Sequence, residues 1–406
     1  MRSPPAAAPT APTAGRPAGP SSAPPGPGRR FQLHEEVGRG AFGAVWRATL
    51  HDVGGFTRPV AIKLLHYTGP AADDMARRMR DEARLLGRLR HRAVVGVHSM
   101  VQHRTGWAVV MEYIDGVDLS TAIRRERPSL PVLLEIVEEV AGALHSAHHH
   151  TPQGDPGPLC LVHRDVKPGN IRITRQGEVK LLDFGVADAA LEGREAAVHQ
   201  GVILGSSRYL APERHKGQDL HQGDIFALGI VLANTLTGKR FPDPPRTATE
   251  HATFLGSVLE TVTAALAEAD APEVRAAERG VRMLLLEMLA FEPHDRPDSR
   301  SVEQRCRRLR SGLPTPWLRD WAEATIPRLQ AERAAEPPAP KPADPSAAAA
   351  QNAAAAVEDP KPGDWLLPLG DDPARPQRGF SPLPFIIGLG LGAGFTLGAL
   401  LLVGGP

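Results

Sequence analysis

Apolar and polar positions alternate in two short stretches that follow a Pro- and Ala-rich start. Residues 31–37 read as a strand and residues 44–48 alternate as a second one, with Gly38, Gly40 and Gly43 between them. A dinucleotide-binding fingerprint would need a helix after the glycines, so the pattern predicts a strand–glycine loop–strand hairpin. Because glycine lets a backbone approach closely, such a loop can fold over phosphates. An ordinary glycine-rich hairpin is the alternative.

A predicted strand and a predicted helix each carry one charged residue among apolar ones. The strand is the run VAIKLL at 60–65, which contains Lys63, and the helix is predicted over 73–90, where Glu82 falls on the apolar face. That face has helical spacing, through Met75, Met79, Leu86 and Leu89. A buried lysine needs a partner, so we predict a Lys63–Glu82 ion pair. In the alternative, both side chains reach solvent.

A second hairpin is predicted near the middle of the chain, over residues 171–173 and 179–182. Asn170 precedes its first strand and Asp183 follows its second, so the two residues meet at the open end, about 5 Å apart. Their oxygens suit Mg²⁺, which favours oxygen donors and substrate phosphates. The preceding stretch HRDVKPGN, taken alone, is equally consistent with a solvated turn.

An uncharged apolar run lies close to the C-terminus. Residues 385–403 form this run, and as a helix they would just span a hydrocarbon core of about 30 Å. We predict a transmembrane helix; a buried core helix is the alternative. Arg375 and Arg378 precede the run, so a single pass through the cytoplasmic membrane with the N-terminal part in the cytoplasm is expected. GxxxG pairs in the run would allow a homodimer through this helix face.

Composition divides the rest of the chain. The 406 residues carry a net charge of +1, which provides no global field to recruit nucleic acid. The Pro- and Ala-rich residues 1–28 are predicted to be disordered, residues 29–312 are globular in composition, and residues 313–384 read as a linker. Within the linker, 316–334 could form a short helix that Pro327 interrupts.

The motifs of one family follow each other along residues 31–310. They are a glycine-rich strand loop, VAIK, a helix glutamate, HRDxKxxN, DFG and APE, and together they resemble the protein kinase family. The chain looks most like the bacterial Ser/Thr kinases of eukaryotic type, because Lys167 is the signature of that class. The resemblance implies an α+β fold with two lobes, a small β-rich N-lobe and a mainly helical C-lobe, followed here by one C-terminal transmembrane helix.

The resemblance also implies ATP and Mg²⁺ as cofactors and assigns catalytic roles. Asp165 accepts or orients the proton of the substrate hydroxyl, and Lys167 neutralises the γ-phosphate. Asn170 and Asp183 hold Mg²⁺. Phosphoryl transfer depends on alignment and charge neutralisation more than on covalent help, and these residue types provide both.

Further residues are assigned to nucleotide binding and to structure. Lys63 is assigned to hold the α- and β-phosphates and is oriented by Glu82. Lys63 and Glu82 complete the set of catalytic residues. In the C-lobe, Glu213 is expected to pair with Arg296, and Asp224 to brace the catalytic loop. The implied nucleotide contacts are Val37, Gly38, Arg39, Gly40, Ala41, Phe42, Gly43, Val45, Ala61, Lys63, Glu112 and Ile114.

The chain departs from the family pattern at an insertion over residues 149–160. We predict a surface loop there. A metal site is the alternative, because histidines cluster beside the insertion at His145, His148, His149 and His150, but no carboxylate or cysteine completes a convincing ligand set.

A second departure is the activation segment, since residues 186–204 contain no Ser, Thr or Tyr. Kinases with an arginine in the position of Arg164 usually need a phosphate in this segment to satisfy that charge. Our hypothesis is that Glu192, Glu195 or Ser207 takes the place of the phosphate, so that activity depends little on phosphorylation of the segment.

These observations predict a membrane-tethered signalling Ser/Thr protein kinase that acts on protein substrates and binds no nucleic acid. A pseudokinase scaffold is the main alternative, but it predicts a missing Lys, Asp or Asn, and Lys63, Asp165 and Asn170 are all in place. A small-molecule phosphotransferase is the other alternative, and that class generally lacks the APE segment found at 211–213.

Overall fold

The first hairpin follows from alternating burial along two strands. β1 (Arg30–Gly40) and β2 (Gly43–His51) pair antiparallel, with Gly40 opposite Gly43. One face of β2 is buried through Ala44, Trp46, Ala48 and Leu50. Such alternation is typical of an antiparallel sheet with one covered face. The predicted strand–glycine loop–strand arrangement is therefore confirmed.

The computed structural model describes residues 29–40, 43–52, 54–65, 81, 83–103, 106–184, 207–335 and 361–366. The other strands in these ranges are β3 (Thr57–Leu65), β4 (Val97–His103), β5 (Gly106–Glu112), β6 (Gly116–Asp118), β7 (Ile171–Thr174), β8 (Val179–Leu181) and β9 (Trp365–Leu366). The larger sheet has the order β4-β5-β3-β2-β1-β9, and β6-β7-β8 form a smaller one. The second predicted hairpin is the β7–β8 pair.

Most of the elements after β5 in these ranges are helices. They are α1 (Leu119–Arg125), α2 (Leu130–His149), α3 (Gln222–Thr237), α4 (Ala248–Ala267), α5 (Pro272–Ala276), α6 (Glu278–Met288), α7 (Ser299–Arg310) and α8 (Leu318–Ala335). α3 is buried on every side, as expected for a helix inside a core. It ends at Gly238, whose φ of +69° is left-handed and whose N–H donates to the Asn234 carbonyl at 2.8 Å.

The described residues form two hydrophobic cores. One covers a face of the larger sheet and includes Phe31, Trp46 and Ile62. The other joins α2, α3 and the helices around them, and it extends into the N-lobe through Ala61 and Val109 of the larger sheet. The predicted bilobal α+β fold is thus confirmed. Over the described ranges no helix is both long and apolar enough to cross a membrane; the span predicted at 385–403 lies outside them, as do residues 1–28.

α8 corrects one expectation from the sequence. Pro327 was expected to interrupt the helix, but α8 continues through it to Ala335. Proline removes one N–H donor, and the apolar stripe on both sides of it compensates because it packs against the C-lobe. The buried positions of this stripe are Leu318, Trp321, Ala322, Thr325, Ile326 and Leu329. This part of the expected linker is therefore packed against the lobe.

The insertion at 149–160 is a loop that closes back onto the end of α2. The Leu159 N–H donates to the His150 carbonyl at 2.9 Å, and the Leu161 N–H donates to the Ala147 carbonyl at 3.1 Å. The neighbouring histidines stack as rings, with 3.9 Å between the centroids of His148 and His221. No group of three metal-ligating side chains is found in the described part of the chain.

Candidate active site

Asp165 lies in a small network of hydrogen bonds in the loop between α2 and β7. Its Oδ2 accepts from Lys167 Nζ at 2.7 Å and from Asn170 Nδ2 at 3.0 Å. The same Asn170 nitrogen donates to the Asp165 backbone carbonyl at 2.9 Å. The structure therefore brings together three of the predicted site residues, with a carboxylate and an ammonium held side by side.

Asp224, at the start of α3, holds the backbone that leads into Asp165. Its carboxylate accepts from the backbone N–H groups of His163 at 2.7 Å and Arg164 at 2.8 Å. Arg214 donates to the same carboxylate at 2.8 Å, and to the Arg164 carbonyl at 2.8 Å. Both charged side chains are buried, 3% and 7% exposed, so each compensates the other. The structural role expected of Asp224 is confirmed.

The buried ring of His163 links this loop to the residues after β8. The Asp165 N–H donates to Nδ1 at 3.2 Å, so the ring proton lies on Nε2, which donates to the Leu182 carbonyl at 2.8 Å. Burial lowers the pKa of His163, in keeping with a neutral ring. The ring also packs against Phe184, with 4.5 Å between centroids. His163 therefore joins the catalytic loop to the DFG motif.

The ends of the β7–β8 hairpin meet one residue earlier than predicted, because Leu182 rather than Asp183 lies opposite Asn170. The Leu182 N–H donates to the Asn170 carbonyl at 2.8 Å, which holds the two flanking segments together. Asp183, the next residue, has a φ of +54°, and Arg164 has a φ of +70°. Left-handed backbone is uncommon for residues other than glycine and clusters at functional sites. Both strained residues adjoin groups assigned to the chemistry.

Lys63 on β3 reaches across to Asp183, with 2.7 Å between Nζ and Oδ1. Although desolvation opposes it, the charge and hydrogen bond of Lys63 lower the pKa of Asp183. A lysine from the N-lobe and a carboxylate from the C-lobe are thus paired at one place. The sequence pointed to Glu82 as the partner of Lys63. Glu82 lies outside the described residues, and that pair stays a prediction.

Asn170 and Asp183 fit the Mg²⁺ role by the chemistry of their atoms. The Asn170 amide nitrogen is used in bonds to Asp165, so its oxygen is the atom that it can offer a cation. Asp183 uses Oδ1 for Lys63, and its other oxygen can serve in the same way. One amide oxygen and one carboxylate oxygen are hard donors suited to Mg²⁺, which completes its shell with water and phosphate oxygens. Bound there, the ion would neutralise phosphate charge.

The implied nucleotide contacts of the N-lobe lie on three adjacent strands. Gly38 on β1 is opposite Val45 on β2. Val45 is in turn opposite Lys63 on β3, and Ala61 lies two residues before that lysine. The glycine-rich hairpin and the lysine are therefore neighbours in one sheet. The loop tip, Ala41 and Phe42, lies outside the described residues.

Glu112 and Ile114 belong to the segment that joins the lobes. The Glu112 N–H donates to the Gly96 carbonyl at 2.8 Å, and the Gly96 N–H donates back to the Glu112 carboxylate at 3.2 Å. Lys180 on β8 donates to both oxygens of the same carboxylate, each at 3.1 Å. Sequence reasoning missed Lys180, which ties the connecting segment to the C-lobe; its place in a short strand gives no signal of this role.

A second residue missed from the sequence is Asp219. Its carboxylate contacts the guanidinium of Arg164, and its other oxygen lies 3.8 Å from Nε of Arg214. Of the three residues expected to replace the phosphate beside Arg164, Glu192 and Glu195 lie outside the described residues, and the role of Ser207 in the short helix at Ser207–Tyr209 stays a prediction. A carboxylate from the segment after the APE motif therefore provides a negative charge beside Arg164.

The APE motif itself forms a buried ion pair. Glu213 accepts two hydrogen bonds from Arg296, at 2.6 Å and 2.8 Å. The Arg296 side chain is 0% exposed and that of Glu213 is 3% exposed. This confirms the pairing expected from the resemblance. Two parallel bonds fix the geometry as well as the distance.

The fold and these contacts are those of a two-lobed protein of the kinase type. A family model described as "Protein kinase domain" matches residues 31–306. That match covers more than half of the chain, and the chain belongs to the protein kinase family.

Bacterial protein kinases are similar to this chain. "Tyrosine-protein kinase MasK" of Myxococcus xanthus is 34% identical over 276 residues, which cover 66% of this chain and 40% of MasK. "Serine/threonine-protein kinase PknA" of Mycobacterium tuberculosis is 34% identical over 52% of this chain and 47% of PknA. "Serine/threonine-protein kinase PrkC" of Bacillus subtilis is 35% identical over 52% of this chain and 31% of PrkC. The predicted likeness to bacterial Ser/Thr kinases is confirmed.

The chain spans less than half the length of each of these curated relatives. Among solved structures, the kinase domain of Mycobacterium tuberculosis PknI is similar, with 25% identity and a TM-score of 0.48 over 70% of this chain and 96% of that one.

Proposed function

We propose that this protein is an ATP-dependent kinase that phosphorylates Ser or Thr hydroxyls of protein substrates. In the reaction, the acceptor oxygen forms a bond to the γ-phosphorus while the bond from that phosphorus to the β,γ-bridging oxygen breaks. ADP leaves, and the acceptor proton moves to the Asp165 carboxylate. Lys167, bonded to that carboxylate at 2.7 Å, is suited to neutralise charge on the phosphate in transfer.

One observation supports this reaction above all: the chain forms both an ion pair that joins the two lobes and a hydrogen-bond network around Asp165 in the C-lobe. Lys63 and Asp183 meet at 2.7 Å, while Asp165 bonds to Lys167 and Asn170. A pseudokinase scaffold would not need both a phosphate-binding pair and a proton acceptor held in place. The assembled set favours catalysis, because phosphoryl transfer depends on positioning and charge.

The choice of acceptor rests on a single residue and on the relatives. Lys167 favours Ser/Thr, and PknA and PrkC carry that activity in their names. MasK is named a tyrosine kinase, so the acceptor needs its own measurement. We expect phosphoserine or phosphothreonine in the product, and a product containing phosphotyrosine alone would contradict this choice.

We further propose that the kinase acts at the cytoplasmic membrane, in signalling, with residues 385–403 as its single span and the catalytic domain in the cytoplasm. Support comes from the uncharged run and from Arg375 and Arg378 before it. Deleting 385–403 should move the chain from the membrane fraction to the soluble fraction. Leucine in place of Gly390 and Gly394 should weaken a homodimer formed through the GxxxG face, as crosslinking in membranes would detect.

The decisive experiment is transfer of labelled γ-phosphate from ATP–Mg²⁺ to a generic basic protein by the full chain. Asp165→Asn should reduce transfer about a hundred- to ten-thousandfold and leave nucleotide binding in place. Asp270→Asn is a matched control because Asp270 is exposed and outside the site; its rate should equal that of the wild type. Nucleotide binding without transfer by the wild type would favour the pseudokinase.

A further inference from the structure

We infer that the C-terminal extension, defined as α8 and residues 361–366, sets the position of the N-lobe for nucleotide binding. On this inference Gln330 and Arg333 are positioning residues. The inference rests on the proposed kinase function. It starts from the fact that the extension contacts both lobes, although it follows the matched kinase domain, which ends at residue 306.

The extension is firmly attached to the C-lobe. Trp321, Ile326 and Leu329 are buried in the larger core. At the start of α8 the Leu318 N–H donates to Glu135 of α2 at 3.1 Å. Burial of large apolar side chains is strongly favourable. α8 therefore moves with the C-lobe and can act as a fixed base for contacts to other parts.

The first of these contacts is to the segment that joins the lobes. Gln330 Nε2 donates to Asp115 Oδ1 at 2.7 Å. Asp115 directly follows Ile114, one of the implied nucleotide contacts. A hydrogen bond to the residue next to this position restricts the segment about which the lobes would rotate.

The second contact is to the strand that leads into the glycine-rich loop. Arg333, one helical turn beyond Gln330, donates to the Val37 carbonyl at 3.4 Å. Val37 directly precedes Gly38. The bond is long and exposed, so it is the weaker of the two, but it joins the C-lobe helix to the backbone that is implied to cover the phosphates.

The third contact is made by β9, which pairs with the outer edge of β1. Phe31 is opposite Leu366 and Gln32 is opposite Trp365. The Leu33 N–H donates to the Asp364 carbonyl at 2.9 Å. Leu366 is 1% exposed and belongs to the N-lobe core, which explains why so short a strand is held.

These contacts have one consequence for the reaction. β1 is held on its outer edge by β9 and near its loop end by Arg333, while Gln330 holds the connection between the lobes. A site that is already positioned loses less freedom when nucleotide binds. Loss of the contacts should therefore weaken nucleotide binding and raise KM for ATP, with kcat nearly unchanged because Asp165 and its partners lie in the C-lobe.

The test is direct binding of ATP–Mg²⁺ by the full chain. Gln330→Ala should raise Kd about fivefold, as expected for one lost hydrogen bond, and Arg333→Ala should raise it about twofold. Arg333→Lys keeps a donor and should recover part of the loss. Arg319→Ala is the control: this arginine lies on the same helix, is 76% exposed and pairs with Glu323. If Gln330→Ala and Arg319→Ala bind equally well, the inference is overturned.

Hydrogen exchange provides a readout that does not depend on catalysis. Leu366→Asp would place a charge in a buried apolar site, so β9 should detach and exchange at the Leu33 amide should rise about tenfold or more. Gln330→Ala should likewise raise exchange at the amides around Asp115. Unchanged exchange in both variants would overturn the inference. If the wild type bound no nucleotide, the proposed function would fail, and these exchange rates would still decide the inference.

Discussion

The catalytic loop and the C-terminal extension are held in place by different forces. In the loop, buried Asp224 satisfies two backbone N–H groups and the Arg214 guanidinium at once. In the extension, an apolar stripe through Trp321 and Leu329 provides the attachment. Few geometries satisfy a buried charge, whereas apolar contact is non-directional. The orientation of the loop is therefore set by buried charges, whereas the extension combines apolar burial with separate polar contacts at Leu318 and Gln330.

The most damaging change should be the loss of the charged anchor, Asp224→Ala. This change leaves the buried Arg214 charge and two backbone N–H donors without their partner. We therefore expect the free energy of unfolding to fall by about 3–5 kcal/mol. Chemical denaturation measures this loss. The double variant Asp224→Leu, Arg214→Met removes the stranded charge and should recover much of the stability.

Measuring kcat separates two roles of Asp224, which neutralises Arg214 and accepts hydrogen bonds from the loop backbone. In the double variant the N–H groups of His163 and Arg164 still lack their acceptor, so kcat should stay at least about tenfold below that of the wild type. Full recovery of kcat together with stability would mean that the anchor serves only to neutralise Arg214. The hydrogen bonds from Asp224 to the loop backbone would then not be needed to position Asp165.

In the extension, Leu329→Ala should lower the free energy of unfolding by less than Asp224→Ala does. Leu329 is buried in the stripe, and such truncations cost about 2–5 kcal/mol in a core. The loss here is limited to the free energy that docks α8, because the rest of the C-lobe can stay folded without it. Leu329→Met is the matched control and should cost less than about 1.5 kcal/mol. Both are measured by thermal unfolding; a loss larger than that of Asp224→Ala would contradict the ranking.

A change of activity alone is expected from Asp219→Ala. Its carboxylate contacts Arg164, the residue before Asp165, and losing a hydrogen bond to a charged group should lower kcat about tenfold. Phosphatase treatment of the wild type should leave activity nearly unchanged, because the negative charge comes from a side chain. Asp270→Asn serves again as the control. Loss of wild-type activity on dephosphorylation at a site within 186–207 would show that a phosphate is needed.

The contrast between directional charged contacts and non-directional apolar contacts also explains what could be predicted from the sequence. The hairpins and the proximity of Asp165 to Asn170 were predictable because the chemistry restricts both residue type and order. The Glu213–Arg296 pair followed from the family resemblance. The attachment of α8 left a weaker signal, a spacing of three and four residues from Leu318 to Leu329, which Pro327 obscured. That proline is tolerated because one missing hydrogen bond is small beside the buried stripe.

Other contacts left no signal at all. β9 is two residues long, too short for any period to show, and its pairing with β1 depends on tertiary packing of Leu366. Asp219 belongs to no motif, and only the fold brings it to Arg164. For Lys63, the helical stripe pointed to Glu82, whereas the described contact is to Asp183. Long-range pairs of exposed or half-buried charges cannot be read from local spacing.

The smallest expected effect is a pH dependence of stability, which should differ between the C-lobe and the C-terminal extension. His148, near the end of α2, is packed against other histidines, and burial followed by the charges of His221 and His149 lowers its pKa to about 4. In the unfolded chain the value is 6.5, so between pH 6.5 and about 4 the unfolded state binds a proton that the folded state does not. Stability is therefore lost as the pH falls through this window.

His148→Gln should flatten this dependence, measured as the denaturation midpoint at several pH values between 7.5 and 5. Ser146→Ala on the same helix changes no titratable group and is the control. The described extension contains no histidine, and one histidine ring, His51, packs against its Trp365. The protection factor of the Leu33 amide, which reports on β9 after correction for the intrinsic exchange rate at each pH, should therefore change less with pH than global stability does. An equal change in both would mean that the extension and the C-lobe unfold as one unit, and that the two kinds of attachment are energetically inseparable.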